Sequence, residues 1–320
     1  MMDDWTRSIG NTPLVKLSRL FRNSRGIEVY AKLELMNPGG SAKDRPALRI
    51  LQHAWKDGKI GPGSVVIESS SGNMAISLAA ICSMMELKFI SVIDPRTAAH
   101  NIRIMKTFGA QISYVDEPDP ASGEFLPARL ARVRELLGSI PNSYWPNQYG
   151  NEHNYLAHCE GTMGEIAAAL PRVDYVIGGV STCGTMYGCA NYIAEQGMET
   201  KVVAVDAKGS VILGGSKGPR MFPGLGAGIV PPFGQKPFMD ESTYVSDRNM
   251  VLGCKELVAR EAILAGPSSG AVISAMKSLL DTIPEQSVCV VIIHDRGERY
   301  MDTVYDDDWV KRQFDSELKV

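Results

Sequence analysis

The chain of 320 residues lacks several things, and each absence removes a class of explanation. It has no long apolar run. The opening Met1-Met2-Asp3-Asp4-Trp5 is acidic, so neither a secretion signal nor a membrane span is legible, and a cytoplasmic location is the expectation. It has no basic tract, and a net charge of −3 offers nucleic acid or an anionic membrane nothing to bind. Cysteines are few, at positions 82, 159, 183, 189, 254 and 289, without the paired spacing of a metal site, which points to reduced thiols and no structural metal. Histidines 53, 100, 153, 158 and 294 form no metal-binding pair either, and read as structural or exposed. There is no internal repeat and no low-complexity tract. What is present, with 44% hydrophobic residues, is enough to bury a large core as two lobes or one large α/β unit, with small molecules as the expected partners.

The hydrophobic period alternates between that of strands and that of helices. Strands are predicted near residues 12–17, 27–34, 64–68, 89–93, 111–115, 173–177, 201–206 and 287–293. Helices are predicted over 45–57, 73–85, 98–108, 125–137, 154–170, 185–197, 250–264 and 268–280. Such βαβ succession implies parallel twisted sheets flanked by helices. The run Asn142–Asn151, rich in turn formers and aromatics, breaks the period and suggests a lobe boundary. Residues 207–240 hold much of the glycine and proline and read as a long irregular excursion, of the kind that covers a site. The acidic stretch Tyr305–Trp309 reads as surface.

Chemistry concentrates in four turns. In Asn37-Pro38-Gly39-Gly40-Ser41-Ala42-Lys43-Asp44-Arg45 one lysine is delivered to the start of a helix. The helix dipole there discourages the ammonium form and favours an amine able to condense with an aldehyde, although a plain surface lysine would look the same. Gly178-Gly179-Val180-Ser181-Thr182-Cys183-Gly184-Thr185 follows a strand and opens a helix, turning successive backbone N–H groups to one spot suited to phosphate. No Gly-Lys-Ser/Thr ending makes it a nucleoside-triphosphate loop. The dinucleotide pattern also fails in detail, although Asp206 falls near the acidic position and keeps that reading open. Ser70-Ser71-Gly72-Asn73 forms a second strand-to-helix turn, fit for a carboxylate or merely for capping. The fourth, Gly266-Pro267-Ser268-Ser269-Gly270, also opens a helix.

These four segments, in this order and spacing, together with Ile9-Gly10-Asn11-Thr12-Pro13-Leu14-Val15, resemble the fold type II pyridoxal-phosphate enzymes, the cysteine synthase group. The resemblance implies a two-lobed α/β fold like that of the tryptophan synthase β chain. Its larger, cofactor-binding lobe would be made of 1–42 and 147–320, its smaller mobile substrate lobe of 43–146, and the molecule would be a homodimer. It implies pyridoxal 5'-phosphate as cofactor. Lys43 would be its covalent attachment and the acid–base group, Asn73 would contact its 3′-oxygen, Ser181, Thr182, Cys183, Gly184 and Thr185 would hold its phosphate, and Ser268 would face its ring nitrogen. Ser70, Ser71 and Gly72 would grip the substrate carboxylate. A serine at the ring nitrogen makes a weaker electron sink than a carboxylate would, which suits β-replacement better than transamination.

The chain departs from the commonest members in three places. Met74-Ala75 stands where cysteine synthases carry Thr-Gly, and Ser181 and Cys183 stand where glycine is usual. Leu126–Arg134 followed by Tyr144-Trp145-Pro146-Asn147-Gln148-Tyr149 resembles instead the siderophore branch, which condenses O-phosphoserine with glutamate to N-(2-amino-2-carboxyethyl)-L-glutamate on the way to 2,3-diaminopropionate. On that reading Arg129 contacts the phosphate leaving group, with Tyr149 and Ser181 shaping the pocket, although Arg129, Arg132 and Arg134 on one helix also read as solvated arginines; Lys217 and Arg220 rank lower, with surface charge as their alternative. The alternatives are a cysteine synthase using O-acetylserine or O-phosphoserine with sulfide, a nicotinamide-dependent dehydrogenase, and a catalytically inert amino-acid sensor.

Overall fold

Short apolar runs and amphipathic stretches alternate as strands and helices in the computed structural model, which describes residues 5–22, 24–314 and 318. The chain opens with β1 (Leu14–Lys16) and β2 (Glu28–Leu33) and reaches the lysine turn. It continues through α1 (Asp44–Lys56), β3 (Val65–Ser69), α2 (Asn73–Met84), β4 (Lys88–Ile93), α3 (Ala99–Thr107), β5 (Gln111–Tyr114), α4 (Phe125–Ser139) and β6 (Ser143–Tyr144). Then follow α5 (Glu152–Ala157), α6 (Gly164–Ala169), β7 (Tyr175–Gly179), α7 (Gly184–Glu195), β8 (Lys201–Ala207) and β9 (Glu241–Val245). The last elements are α8 (Asp247–Glu261), α9 (Pro267–Leu279), β10 (Val288–Ile293) and α10 (Asp307–Phe314).

The chain divides into two compact units. The smaller comprises Lys43–Asn154 and the N-terminal segment ending at Arg7. Its sheet runs β5-β4-β3-β6 with every neighbouring pair parallel. Helices cover central parallel strands on both faces, which is why β3 is buried at every position and reads as a continuous run, Val-Val-Ile-Glu-Ser, rather than an alternating one. Val65, Ile67, Ile90 and Val92 pack against Val133 and Leu136 of α4. Residues 147–154, assigned from sequence to the other lobe, group with this unit. The backbone N–H of Gln148 donates to Glu68 on β3 at 3.1 Å, and the side chain of Asn154 donates to the Gln148 carbonyl at 2.5 Å.

The larger unit comprises Ser8–Ala42 and the chain from Tyr155 to its end. Its sheet runs β1-β2-β10-β7-β8-β9, antiparallel between β1 and β2 and parallel elsewhere. Strand β9 was not anticipated. Its sequence, Glu-Ser-Thr-Tyr-Val, buries only Val245 because it lies at the sheet edge, so no apolar alternation marks it. Helix α8 starts three residues before the predicted 250, where the Ser246 side chain caps it by accepting from the Asn249 N–H at 3.3 Å. α8 and α9 cross with bare backbone in contact: a β-carbon on Gly253 would lie 2.0 Å from the Gly270 carbonyl oxygen. Tyr305–Trp309 is not a loose surface stretch. The Tyr305 hydroxyl donates to the Ala265 carbonyl at 2.6 Å, and Trp309 packs against Phe222.

The helix predicted over 154–170 is interrupted. Between α5 and α6 the residues His158–Met163 form a π-helical turn, whose i→i+5 hydrogen bonding changes which side chains share a face.

Candidate active site

In the smaller unit the lysine turn and the serine turn start neighbouring helices. Lys43 is the N-cap of α1, its carbonyl accepting the Ala47 N–H at 3.1 Å, and Asn73 is the first residue of α2. The two first turns are fastened together: Asp44, fully buried, accepts the Ser77 hydroxyl at 2.5 Å, and the same hydroxyl lies 2.9 Å from the Asn73 carbonyl. Lys43 and Asn73 are thus held in register by side chains one position or one turn away.

The serine turn is anchored from three directions. The Ser70 hydroxyl accepts the Ala75 N–H at 3.2 Å, the Ser91 hydroxyl donates to the Ser70 carbonyl at 2.7 Å, and Asn101 donates to the Ser71 carbonyl at 3.1 Å. Behind it lies Glu68, fully buried, which accepts from the Ser69 N–H at 2.8 Å, the Trp145 indole at 3.0 Å and the Gln148 N–H at 3.1 Å. Burial pushes its carboxyl up to about 7, outweighing those donors. Sequence reasoning passed over Glu68, although an acidic residue in a buried strand is a visible anomaly.

Arg129 is not a solvated helix residue. It turns inward from α4 to Asp94 at the end of β4, with Nη1 3.4 Å from the carboxylate, whereas Arg132 reaches Ser113 and Glu135. The Tyr149 hydroxyl is pushed above its ordinary value by burial, against the pull of Arg129 and with the Glu68 carboxylate adding to the rise.

In the larger unit, Ser181-Thr182-Cys183 links the end of β7 to the first turn of α7, and Thr182, Cys183, Gly184 and Thr185 are all buried. The loop keeps its shape by close approach. A β-carbon on Gly178 would lie 2.4 Å from the Met186 sulfur, and Cys183 takes a φ of 65°, a left-handed conformation that glycine adopts freely and cysteine does not. Ser181 points to the Gly226 carbonyl at 3.4 Å. Amide groups at the start of a helix, with two threonine hydroxyls beside them, make a cradle matched to a phosphate group.

Two histidines support the loop at the start of α7. His158, fully buried in the π-helical turn, lies between the Thr162 hydroxyl at 2.9 Å from Nδ1 and the Thr185 hydroxyl at 3.2 Å from Nε2. His294, at the end of β10, accepts the Gly179 N–H at Nε2 at 3.0 Å, while its own N–H donates to the Ser269 hydroxyl at 2.9 Å. Through its ring and its backbone N–H it therefore joins the end of β7 to the first turn of α9, where Ser268 follows Pro267. Neither role was visible in the sequence. Asp206, the residue that kept a dinucleotide reading open, is fully buried and accepts the Ala207 N–H at 2.8 Å. Lys217 and Arg220 lie on the 207–240 excursion of this unit.

The sequence matches the family described as pyridoxal-phosphate dependent enzyme over residues 5–295. It is 46% identical over 305 residues to N-(2-amino-2-carboxyethyl)-L-glutamate synthase of Ralstonia nicotianae, covering 95% of this chain and 90% of that protein. Among solved structures it is similar to the O-acetylserine dependent cystathionine beta-synthase of Helicobacter pylori, with a TM-score of 0.87, 30% identity, and coverage of 95% of this chain and 98% of that one. O-ureido-L-serine synthase is similar at a TM-score of 0.86 and 28% identity, covering 97% and 99% of the two chains. With the lysine turn, the serine turn and the phosphate cradle all built as strand-to-helix junctions, the chain belongs to the pyridoxal-phosphate-dependent enzymes of fold type II, the cysteine synthase-like group.

Proposed function

We propose that the reaction is β-replacement on O-phospho-L-serine by the amino group of L-glutamate, giving N-(2-amino-2-carboxyethyl)-L-glutamate and phosphate. The observation that carries this reading is the 46% identity, over nearly the whole chain, to the Ralstonia synthase of that product. The inward-turned Arg129 supports it, since a guanidinium suits a phosphate leaving group.

The cradle at 181–185 fits the cofactor phosphate, and Ser268 at the start of α9 offers a hydroxyl to a ring nitrogen. When bound, pyridoxal phosphate supplies the electron sink for a carbanion at the substrate α-carbon. On this reading Lys43 would hold the cofactor covalently, and its Nζ would take and return the proton of the substrate α-carbon. Asn73 and the Ser70–Gly72 turn hold the substrate carboxylate by N–H groups and hydroxyls, which fixes the Cα–H bond in one orientation. Arg129 draws off the leaving phosphate, and Tyr149 in the smaller unit and Ser181 in the larger are the further residues assigned to substrate. The smaller lobe, bounded from sequence at 43–146, is the substrate-binding one, and the larger holds the cofactor phosphate. The same reading makes the protein a cytoplasmic homodimer acting in siderophore or 2,3-diaminopropionate synthesis. Among the described residues no helix is long and apolar enough to cross a membrane.

Mass spectrometry of the products formed from O-phosphoserine or O-acetylserine with glutamate or sulfide tests the reaction. The expected result is the glutamate adduct with equimolar phosphate. Cysteine without any glutamate adduct overturns it. Lys43→Ala is expected to abolish both turnover and the visible absorbance of the holoenzyme.

A further inference from the structure

The end of β4 carries a cluster that the reading above uses only in part. Asp94 is 4% exposed and pairs with Arg129, whose side chain is 12% exposed, at 3.4 Å. The same carboxylate accepts the backbone N–H of Arg96 at 2.9 Å and meets its guanidinium at 3.4 Å. Two guanidinium groups on one carboxylate leave one positive charge in surplus. Two further donors flank Asp94 without an acceptor among the described residues: the Nε–H of Arg129 and the hydroxyl of Thr97, both buried. Thr97 closes a turn with Asp94, its N–H donating to the Asp94 main-chain carbonyl at 3.1 Å. Four residues further on, Asn101 holds the Ser71 carbonyl, so α3 is fastened to the serine turn of the same unit. The cluster thus stands at the C-terminal end of a parallel strand, next to the turn assigned to the substrate carboxylate, where open α/β sheets bind ligands.

Buried donors without acceptors, beside a surplus positive charge, describe a receptor for an anion. A tetrahedral oxyanion carrying more than one charge matches donors that arrive from a turn, a helix and a second arginine better than a planar carboxylate, which one guanidinium fork satisfies. We propose that Thr97 and Arg96 join Arg129 in a subsite for the phosphoryl group of the first substrate, with Asp94 as the positioning residue that keeps Arg129 turned inward. The inference rests on the reading that O-phosphoserine is that substrate. Arg96, whose side chain is 62% exposed and lies over the Phe125 ring at 4.6 Å, is the member on the solvent side of the anion, while Asp94 relieves its repulsion with Arg129.

The test uses the holoenzyme, with inorganic phosphate as a competitive inhibitor against O-phosphoserine at fixed glutamate. Thr97→Val is expected to raise both the inhibition constant of phosphate and KM for O-phosphoserine by about tenfold with kcat within about twofold, and Thr97→Ser is expected to restore both. Asp94→Asn is expected to raise the same two constants, leaving KM for glutamate within about twofold. Unchanged phosphate inhibition in Thr97→Val, in protein with a wild-type melting temperature, overturns the subsite. A loss confined to KM for glutamate overturns it too, because the anion bound would then be the amine substrate's carboxylate. Phosphate inhibition can be read with sulfide in place of glutamate. A wild type that uses O-phosphoserine only with sulfide therefore sinks the glutamate reading while the subsite is still judged on its own constants.

Discussion

The imidazole of His158, the first residue of the π-helical turn, stands 3.2 Å from the hydroxyl of Thr185. Thr162, four residues on, holds the other ring nitrogen at 2.9 Å. Through this relay the hydroxyl at the mouth of the phosphate cradle has a fixed direction. His158→Phe is expected to weaken retention of pyridoxal phosphate about tenfold, the scale of one hydrogen bond to a charged group, as measured by titrating apoprotein and following absorbance. An unchanged dissociation constant would show that Thr185 is oriented by other means.

Glu68 sets a pH dependence on the smaller unit. Its carboxyl is raised from 4.5 to about 7 by burial, so the folded state holds the proton more tightly than the unfolded chain does. The stabilisation is complete below about 4.5 and is lost as pH rises toward 7, by up to ~3 kcal/mol from this group. Glu68→Gln is expected to flatten the fall in urea midpoint between about pH 5 and 7.5. A slope unaltered by the substitution would remove Glu68 as its source.

His53 and His153 stack with ring centroids 3.9 Å apart and planes 21° from parallel, joining α1 to the residues just before Tyr155. The His153 imidazole lies below its ordinary value because of burial first, and then because His53 and Arg49 are close; Glu152 and Asp57 pull the other way. A depressed value means that stability is full above the unfolded value and drains as pH falls through the folded one. His153→Phe keeps a ring in the stack and is expected to reduce the loss of melting temperature below about pH 6.5.

The α8–α9 crossing depends on two absent side chains. Since a β-carbon on Gly253 or Gly270 would lie 2.0 Å from a carbonyl oxygen, Gly253→Ala must push the helices apart. The expected loss is ~2–3 kcal/mol of stability, seen as a lowered denaturant midpoint. On the proposed reading Ser268, in the first turn of the second helix, faces the cofactor, so cofactor affinity should fall with it. A variant as stable as wild type would mean that the helices yield without cost.

What the sequence disclosed and what it withheld follow from the reach of each signal. The placement of Lys43, Asn73 and Ser268 is legible because glycine, serine and proline mark the turn that opens a helix, and each stands within two residues of a helix start. The partners that hold those turns are not local: His294 meets Gly179 across 115 positions, and no period connects them. Arg129 could be named from its neighbours, but Asp94, which turns it inward, lies in another element. The π-helical turn has no residue signature, and β6, two residues long, is too short to show alternation.

All six cysteines are buried, and Cys254 and Cys289 have thiols pushed up to about 12 by burial, Cys82 still further in the same direction. At neutral pH such sulfurs present almost no thiolate to an alkylating reagent until the surrounding backbone opens. Cys82 alone belongs to the smaller unit and the other five to the larger. Pulsed alkylation followed by peptide mapping therefore times the opening of each unit separately in the native sequence, with no engineered probe.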